Sequence, residues 1–527
     1  MWPPFSRTYA ELLREHARRA PERPFLVTPQ RSTSYAEFDE SATCLASALL
    51  AFGIKRGKHV ALLAPNGSEW LEVFFACASV GATVVPLSTW STPREIAQIL
   101  NDAKPSLMFT AHYFGARDFA HELAELKLEG NVDNFPTVFV LGGTATDSWP
   151  SWRELLAERA PQDPLALPPG ERVSATDPVA LLYTSGSSAH PKAVPLLHAH
   201  AIENAYNIGR RQHYNYADRV LVPVPLFWSY GAANALPAIL SHGATLVTLP
   251  QFEPDVALDL LEQQRCTAIY TLPAITNALL SCPGFASKRT STLRTGLTIG
   301  APQDVRRAAD ALGAAEICNI YGSTETYGNC AVTEASWPLE KRAQCQGKPL
   351  PGVALRVRDD NSKALLPNGE VGALEVRGYL TPGYAGVSGE HNATSFTTDG
   401  WFVTGDLAML NADGTVSYQG RQSEMIKRSG INVSPAEVEE VLQLLPQVGL
   451  AGVTGLTDTE RGQLIIAFVV LRPGTNSDTS EILTHCKTHL SRYKVPDQLH
   501  VVESLPLTPT GKLLRKSLPS LIPVTKT

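Results

Sequence analysis

The residues Tyr183 to Ala193 read YTSGSSAHPKA, a run of hydroxyls around one glycine with a cation near its end. Gly186 and Lys192 stand at the spacing of the first glycine and the lysine of a Walker A loop, and an apolar, strand-like run precedes them. Pro191 takes the place of the second glycine, and Ala193 that of the magnesium-binding Ser or Thr. A kinase-type loop is therefore disfavoured, because it needs that hydroxyl on the metal and backbone N–H groups turned inward. What is left is a turn in which Thr184, Ser185, Ser187 and Ser188 could hydrogen-bond β- and γ-phosphate oxygens while Lys192 offsets their charge. Taken alone, the stretch would serve as well as a surface turn.

Four further stretches carry carboxylates, hydroxyls and cations: NIYGSTET at 319–326, FVTGDLA at 402–408, GRQSEMIKRSGINVSPAEVE at 420–439 and PLTPTGKLLRK at 506–516. Positioning such scattered groups takes a large scaffold. The chain has 527 residues, 44% of them hydrophobic, enough for two or more structural units with sizeable cores. A net charge of −6 without a basic block makes nucleic acid an unfavourable partner. The eight cysteines are scattered, with no CxxC pair, and read as reduced, mostly buried thiols of a cytoplasmic protein. The N-terminus lacks the basic-then-apolar order of a signal peptide, and no apolar run approaches the ~20 residues of a membrane span, so no integral membrane association is expected.

Short runs rich in Val, Ile and Leu, such as HVALLAP, ATVVPLS, SLMFTA, VALLYTS and TAIYTL, alternate with amphipathic stretches such as STPREIAQIL and DVALDLLEQQ. That alternation predicts parallel sheets covered by helices. In TPRE, Thr92 caps, Pro93 suits the first helical position and Glu95 completes a capping box; SPAE at Ser434 to Glu437 predicts the same arrangement. After about residue 345 short strands with polar turns predict a β-rich module, and from about 424 strand and helix alternate again, with a boundary near Gly420 to Ser423.

Together with LLYTSGSSAHPK, the four stretches in this order resemble the signature series of the acyl-adenylate-forming enzymes, the superfamily of acyl-CoA synthetases, adenylation domains and beetle luciferases. The texture is nearest to the acyl-CoA synthetases, and the resemblance spans nearly the whole chain. It implies an α/β fold. A large N-terminal domain (1–422), of helix-covered sheets plus the β-rich module, would hold ATP and a carboxylic acid. A small, mobile α+β C-terminal lid domain (423–527) would complete it. The usual form of the first motif has glycines where this chain has Ala189 and Ala193, so a stiffer but still competent loop is expected.

Residue by residue, the resemblance places Thr184, Ser185, Gly186, Ser187, Ser188 and Lys192 at the phosphates and Glu325 on Mg²⁺, as a hard oxygen ligand should be. Thr324 matches the hydroxyl near the α-phosphate, Tyr321 with Gly322 the aromatic turn against adenine, and Gly300, Ala301 and Pro302 the segment lining the adenine pocket. Asp406 matches the carboxylate that accepts both ribose hydroxyls, and Arg421 its companion at the nucleotide. Lys512 matches the C-terminal lysine that reaches carboxylate and α-phosphate, Ser423 the hinge, and Lys427 the face that serves the second half-reaction.

The segment VPLFWSYGAAN, Val224 to Asn234, resembles the lining of the acyl pocket, with Phe227, Trp228, Tyr230 and Gly231 as its candidates. It carries no carboxylate to pair with an ammonium, so an amino-acid substrate is disfavoured and a hydrophobic acid (aryl, cyclic or medium aliphatic) expected. The CoA thiol is the expected acceptor; an amine, as in amide-forming ligases, and a carrier-protein thiol are the alternatives. All three share every nucleotide residue named above.

Overall fold

The structure is a computed structural model that describes residues 5–157, 163–168, 170–184, 191–360, 362–428, 431–458, 462–475, 478–490, 492–508, 511 and 513–522. It divides into two compact units, Met1–Ala354 with Val376–Phe402, and Leu355–Glu375 with Val403–Thr527.

Among the described residues, the first unit holds a six-stranded sheet in the order Lys192–Leu197, Pro178–Thr184, Thr83–Pro86, His59–Leu63, Leu107–Thr110 and Thr137–Val140. Its strands are parallel except for the antiparallel pair at the Lys192–Leu197 edge. In His59–Leu63, Val60 and Leu62 join one buried apolar cluster, while Ala61 and Leu63 join a second. Both faces of the sheet are covered, which is why HVALL reads as an unbroken apolar run. The following helix, Ser68–Val80, is buried on nearly every side, and Trp70 stacks on Phe74 within it.

A nine-stranded sheet runs Lys348–Pro349, Ala331–Val332, Cys318–Tyr321, Thr295–Thr298, Ala268–Tyr270, Arg219–Val222, Thr245–Thr248, Pro24–Val27 and Ser32–Ser34. The six strands from Cys318–Tyr321 to Pro24–Val27 are parallel, as the strand and helix alternation predicts.

In the second unit, strands Ala354–Arg358, Val371–Arg377, Phe402–Leu410 and Val416–Arg421 form the four-stranded sheet of the β-rich module. A five-stranded sheet is built on the hairpin Val448–Asp458 and Gly462–Leu471. Ile465, Ala467 and Val469 face one cluster with Val438 and Leu442 of the helix Pro435–Gln443, and Ile466 and Phe468 face another with Leu505 and Leu518. Most of the four-stranded sheet falls in the second unit with the C-terminal segment, while residues 376–402 fall in the first.

Both predicted helix starts are present, at Pro93–Ala103 and Pro435–Gln443. Thr92 and Glu95 form the capping box. Ser434 does not: its hydroxyl donates to the Gln419 carbonyl at 2.7 Å and makes no cap, and Glu437 pairs with Lys494 at 2.5 Å. That bond holds the hydroxyl in a position where it accepts no N–H of the first helical turn. The eight cysteines, all described, are thiols outside any disulfide, Cys44 half-buried and the other seven buried. Among the described residues no helix is long and apolar enough to cross a membrane.

Candidate active site

Three candidate segments leave the carboxyl ends of parallel strands in the nine-stranded sheet, where open α/β sheets bind ligands. Cys318–Tyr321 runs into Gly322 to Glu325, its neighbour Thr295–Thr298 into Gly300 to Pro302, and Arg219–Val222 into the segment of Phe227 and Trp228. Pro302 opens the helix Pro302–Asp310, and Asp304 accepts the Ala301 N–H at 3.0 Å. Burial raises the pKa of Asp304 while that N–H pulls against it. Tyr321 is buried, and Gly322 is demanded by close approach, since a Cβ there would lie 2.5 Å from the Asn329 Cα. Thr324, buried, starts a single 3₁₀ turn that carries the half-buried Glu325.

Two of the acyl-pocket candidates, Phe227 and Trp228, form an aromatic wall with Trp90. Trp228 precedes a π-helical stretch, Ser229–Ala235, a geometry that recurs at functional sites. Phe227 and Trp228 both meet the ring of Trp90 edge-on, at 5.3 and 4.9 Å between centroids. Trp90 is 41% exposed, large for an indole packed on two rings. The run-in is held by buried Asn66, which donates to the Val224 carbonyl at 2.9 Å and accepts from the Leu226 N–H at 2.7 Å. Tyr230 donates to the Thr271 carbonyl at 3.3 Å. A Cβ on Gly231 would collide with the Pro225 carbonyl oxygen and lie 2.8 Å from the Leu226 Cα. Gly231→Ala is therefore expected to cost about 1–3 kcal/mol, read as a lowered urea midpoint. An unchanged midpoint would mean that the turn moves off Pro225 freely.

The hydroxyl-rich stretch lies in sequence between two antiparallel strands, with Thr184 opposite Lys192 in the ladder. Ser185, Gly186, Ser187, Ser188 and Ala189 lie outside the described residues. Both strands are tied at this end. Tyr183 donates to Asp102 at 2.7 Å, and burial first, then that carboxylate, raises the pKa of its phenol. The other Asp102 oxygen accepts the Val387 N–H at 2.8 Å. Ala385 donates its N–H to the Ala193 carbonyl at 2.9 Å, and Thr381 its hydroxyl to the Pro195 carbonyl at 2.7 Å. On this strap of residues 381–387, Tyr384 donates its O–H to Glu325 Oε1 at 2.7 Å while Lys192 Nζ sits 4.6 Å from its ring centroid. Lys192 and Glu325 thus share one aromatic partner.

In the second unit, Asp406 and Arg421 are opposite each other in a ladder, with Arg421 Nη1 at 3.1 Å from Asp406 Oδ1 and 2.8 Å from the Thr404 carbonyl. Asp406 is buried. Ser423, exposed, lies in the short turn Gln422–Glu424 between the four- and five-stranded sheets. Lys427 is opposite Asn432 in a short hairpin, its side chain outside the described residues. Lys512 also lies outside them, but its flanks are pinned. Leu507 and Leu513 form a bridge, and the Leu514 N–H donates to Pro506 at 2.8 Å. Arg515 donates to Glu424 at 3.1 Å, to the Val453 carbonyl at 2.6 Å and to Glu439.

Tyr384, Asn66 and Arg515 escape sequence reasoning. Their partners lie dozens to more than a hundred residues away, and TPGY and APNG read locally as turns. The charge run in GKLLRK is the only local signal for Arg515.

A family model described as AMP-binding enzyme matches residues 13–385, and one for the AMP-binding enzyme C-terminal domain matches 437–512. Indoleacetate–CoA ligase of Aromatoleum aromaticum is 31% identical, over 97% of this chain and 98% of that protein. Among solved structures, ATP-bound MatB from Rhodopseudomonas palustris aligns over 97% of this chain and 98% of its own, at 26% identity and a TM-score of 0.84. Anthranilate CoA ligase AuaEII in complex with anthranoyl-AMP aligns over 97% and 96%, at 26% identity and a TM-score of 0.85. With matched motifs in order, parallel strands ending at them and both family models covering most of its length, the chain belongs to the AMP-binding enzyme family.

Proposed function

We propose that the protein uses ATP to activate a hydrophobic carboxylic acid as its acyl-AMP, releases pyrophosphate, and passes the acyl group to the thiol of CoA. One observation carries the reading: the convergence of Lys192 and Glu325 on Tyr384, in the unit where the 300–302, 321–325 and 224–231 segments leave parallel strands. A lysine and a carboxylate brought together at a hydroxyl-rich turn suit a metal-bound triphosphate. Glu325 fits a divalent cation: Oε1 accepts from Tyr384, and among the described residues Oε2 takes no hydrogen bond or ion pair. Mg²⁺ bound there would supply positive charge to the phosphate oxygens.

In the first half-reaction an oxygen of the acid attacks the α-phosphorus in line, and the bond to pyrophosphate breaks. Lys192 and the hydroxyls of 184–188 hold the leaving phosphates, Thr324 faces the α-phosphate, and the Lys512 ammonium stabilises the charge that spreads over the phosphoryl oxygens. Tyr321, Gly322 and Gly300 to Pro302 receive adenine, while Asp406 with Arg421 receives the ribose. In the second half-reaction the thiolate of CoA attacks the acyl carbon and AMP leaves, with Lys427 serving this step and Ser423 as the pivot between the 1–422 and 423–527 domains. Phe227, Trp228, Tyr230 and Gly231 receive the acid. The aromatic wall with Trp90 and the absence of a carboxylate from this segment support aryl, cyclic or medium aliphatic acids. The relatives named for indoleacetate and anthranilate point the same way. Cytoplasmic residence is part of the proposal.

With Mg²⁺-ATP and a panel of carboxylic acids, pyrophosphate exchange and hydroxamate trapping are expected for hydrophobic acids. Their absence for every acid would sink the adenylation reading. AMP release with one good acid is expected to rise on adding CoA. Stimulation by amines or a carrier-protein thiol alone would reassign the acceptor.

A further inference from the structure

We infer that Tyr384 is a positioning residue that sets the orientation of Glu325 and Lys192 together, so that metal and phosphate ligands are placed by one side chain. The inference rests on the proposed adenylation site. Tyr384 is itself held on every side that matters. Its backbone N–H donates to Asn392 Oδ1 at 2.7 Å, and its carbonyl accepts from Asn392 Nδ2 at 3.0 Å. The next residue, Ala385, is bonded to Ala193, the neighbour of Lys192. Three residues earlier, the Thr381 N–H donates to the backbone carbonyl of Glu325 at 2.8 Å. The strap is therefore anchored to the backbone beside both charged residues that Tyr384 contacts by side chain.

The two contacts divide the tyrosine's chemistry. The phenol O–H engages Glu325 Oε1 and so fixes the plane in which Oε2 points. Outer-shell partners of metal ligands act in this way, and their loss typically lowers metal affinity by about 10–100-fold. The ring face carries the Lys192 ammonium by cation–π attraction, independent of the hydroxyl. Tyr384→Phe removes the first function and keeps the second, whereas Tyr384→Leu removes both.

The test measures binding rather than turnover. Mn²⁺ is titrated into the full chain with α,β-methylene-ATP and followed by water proton relaxation; analogue affinity at saturating metal is measured in parallel. Tyr384→Phe is expected to weaken Mn²⁺ about 10–100-fold with analogue affinity within twofold of the parent. Tyr384→Leu is expected to add a loss of roughly three- to tenfold in analogue affinity. Thermal midpoints near the parent's would show that each variant is folded. Glu325→Gln separates the failures. If it weakens Mn²⁺ and Tyr384→Phe leaves it within twofold, the inference about Tyr384 falls alone. If Glu325→Gln leaves Mn²⁺ unchanged, the metal role of Glu325 falls, and the inference with it.

Discussion

Lys512→Ala is expected to lower acid-dependent pyrophosphate exchange by about 10²–10³-fold, the usual cost of removing one pre-placed charge from a developing anion. The expectation rests on how the flanks of this lysine are held. A lysine on a freely moving tail would spend most of its time away from any phosphorus atom and would contribute little. Here Leu513 is packed with Ile466, Phe468 and Leu518, Leu507 bridges to it, and Arg515 is bound three ways within the same unit. Thioester formation from supplied acyl-AMP and CoA is expected to survive the substitution, because the role proposed for the lysine lies in the phosphoryl step. Exchange at the parent rate would remove Lys512 from the mechanism.

Arg515→Met carries the largest expected stability effect, a loss of about 3–5 kcal/mol, because it strips the partner from a carboxylate whose side chain is only 14% exposed. Glu439 is half-buried, and after the substitution it would keep, among the described residues, only the Val453 N–H at 2.7 Å. Burial already raises its pKa, with Arg515 opposing that shift. Without the guanidinium the folded-state pKa must climb further. A carboxyl whose folded pKa lies above its unfolded value is no burden while protonated, and its penalty grows as pH rises through the folded value. The deficit of Arg515→Met is therefore expected to be largest near pH 8 and to shrink toward pH 5, read by urea unfolding across that range. Adding Glu439→Gln should recover part of it. A pH-independent deficit would point to lost packing of the arginine stem instead.

Periodicity sufficed for the elements. The apolar runs became strands of parallel sheets because both faces of those sheets are covered, as the split of Val60 and Leu62 from Ala61 and Leu63 shows. Glycines quoted within motifs also proved to be sterically required, Gly322 against Asn329 and Gly231 against Leu226. What sequence could not supply was convergence. Ser434 carries the same capping signature as Thr92, yet a carbonyl fifteen residues upstream in sequence, Gln419, took its hydroxyl. Tyr384 sits in a Pro- and Gly-rich turn with no local mark of chemistry, and its role follows from lying between Lys192 and Glu325. Asn66 is likewise legible only from the Val224 to Leu226 backbone that it holds.

The strand Lys192–Leu197 is an edge of its sheet, and an edge of unpaired backbone groups invites a second chain. Pro195 has no N–H to offer there, its carbonyl is occupied by the Thr381 hydroxyl, and the Ala193 carbonyl is occupied by Ala385. The segment that brings Tyr384 to Lys192 and Glu325 thereby also denies this border to sheet-to-sheet self-association. Cutting or displacing it would expose a ready template for aggregation, so resistance to clumping and the geometry around Lys192 are secured by the same few hydrogen bonds.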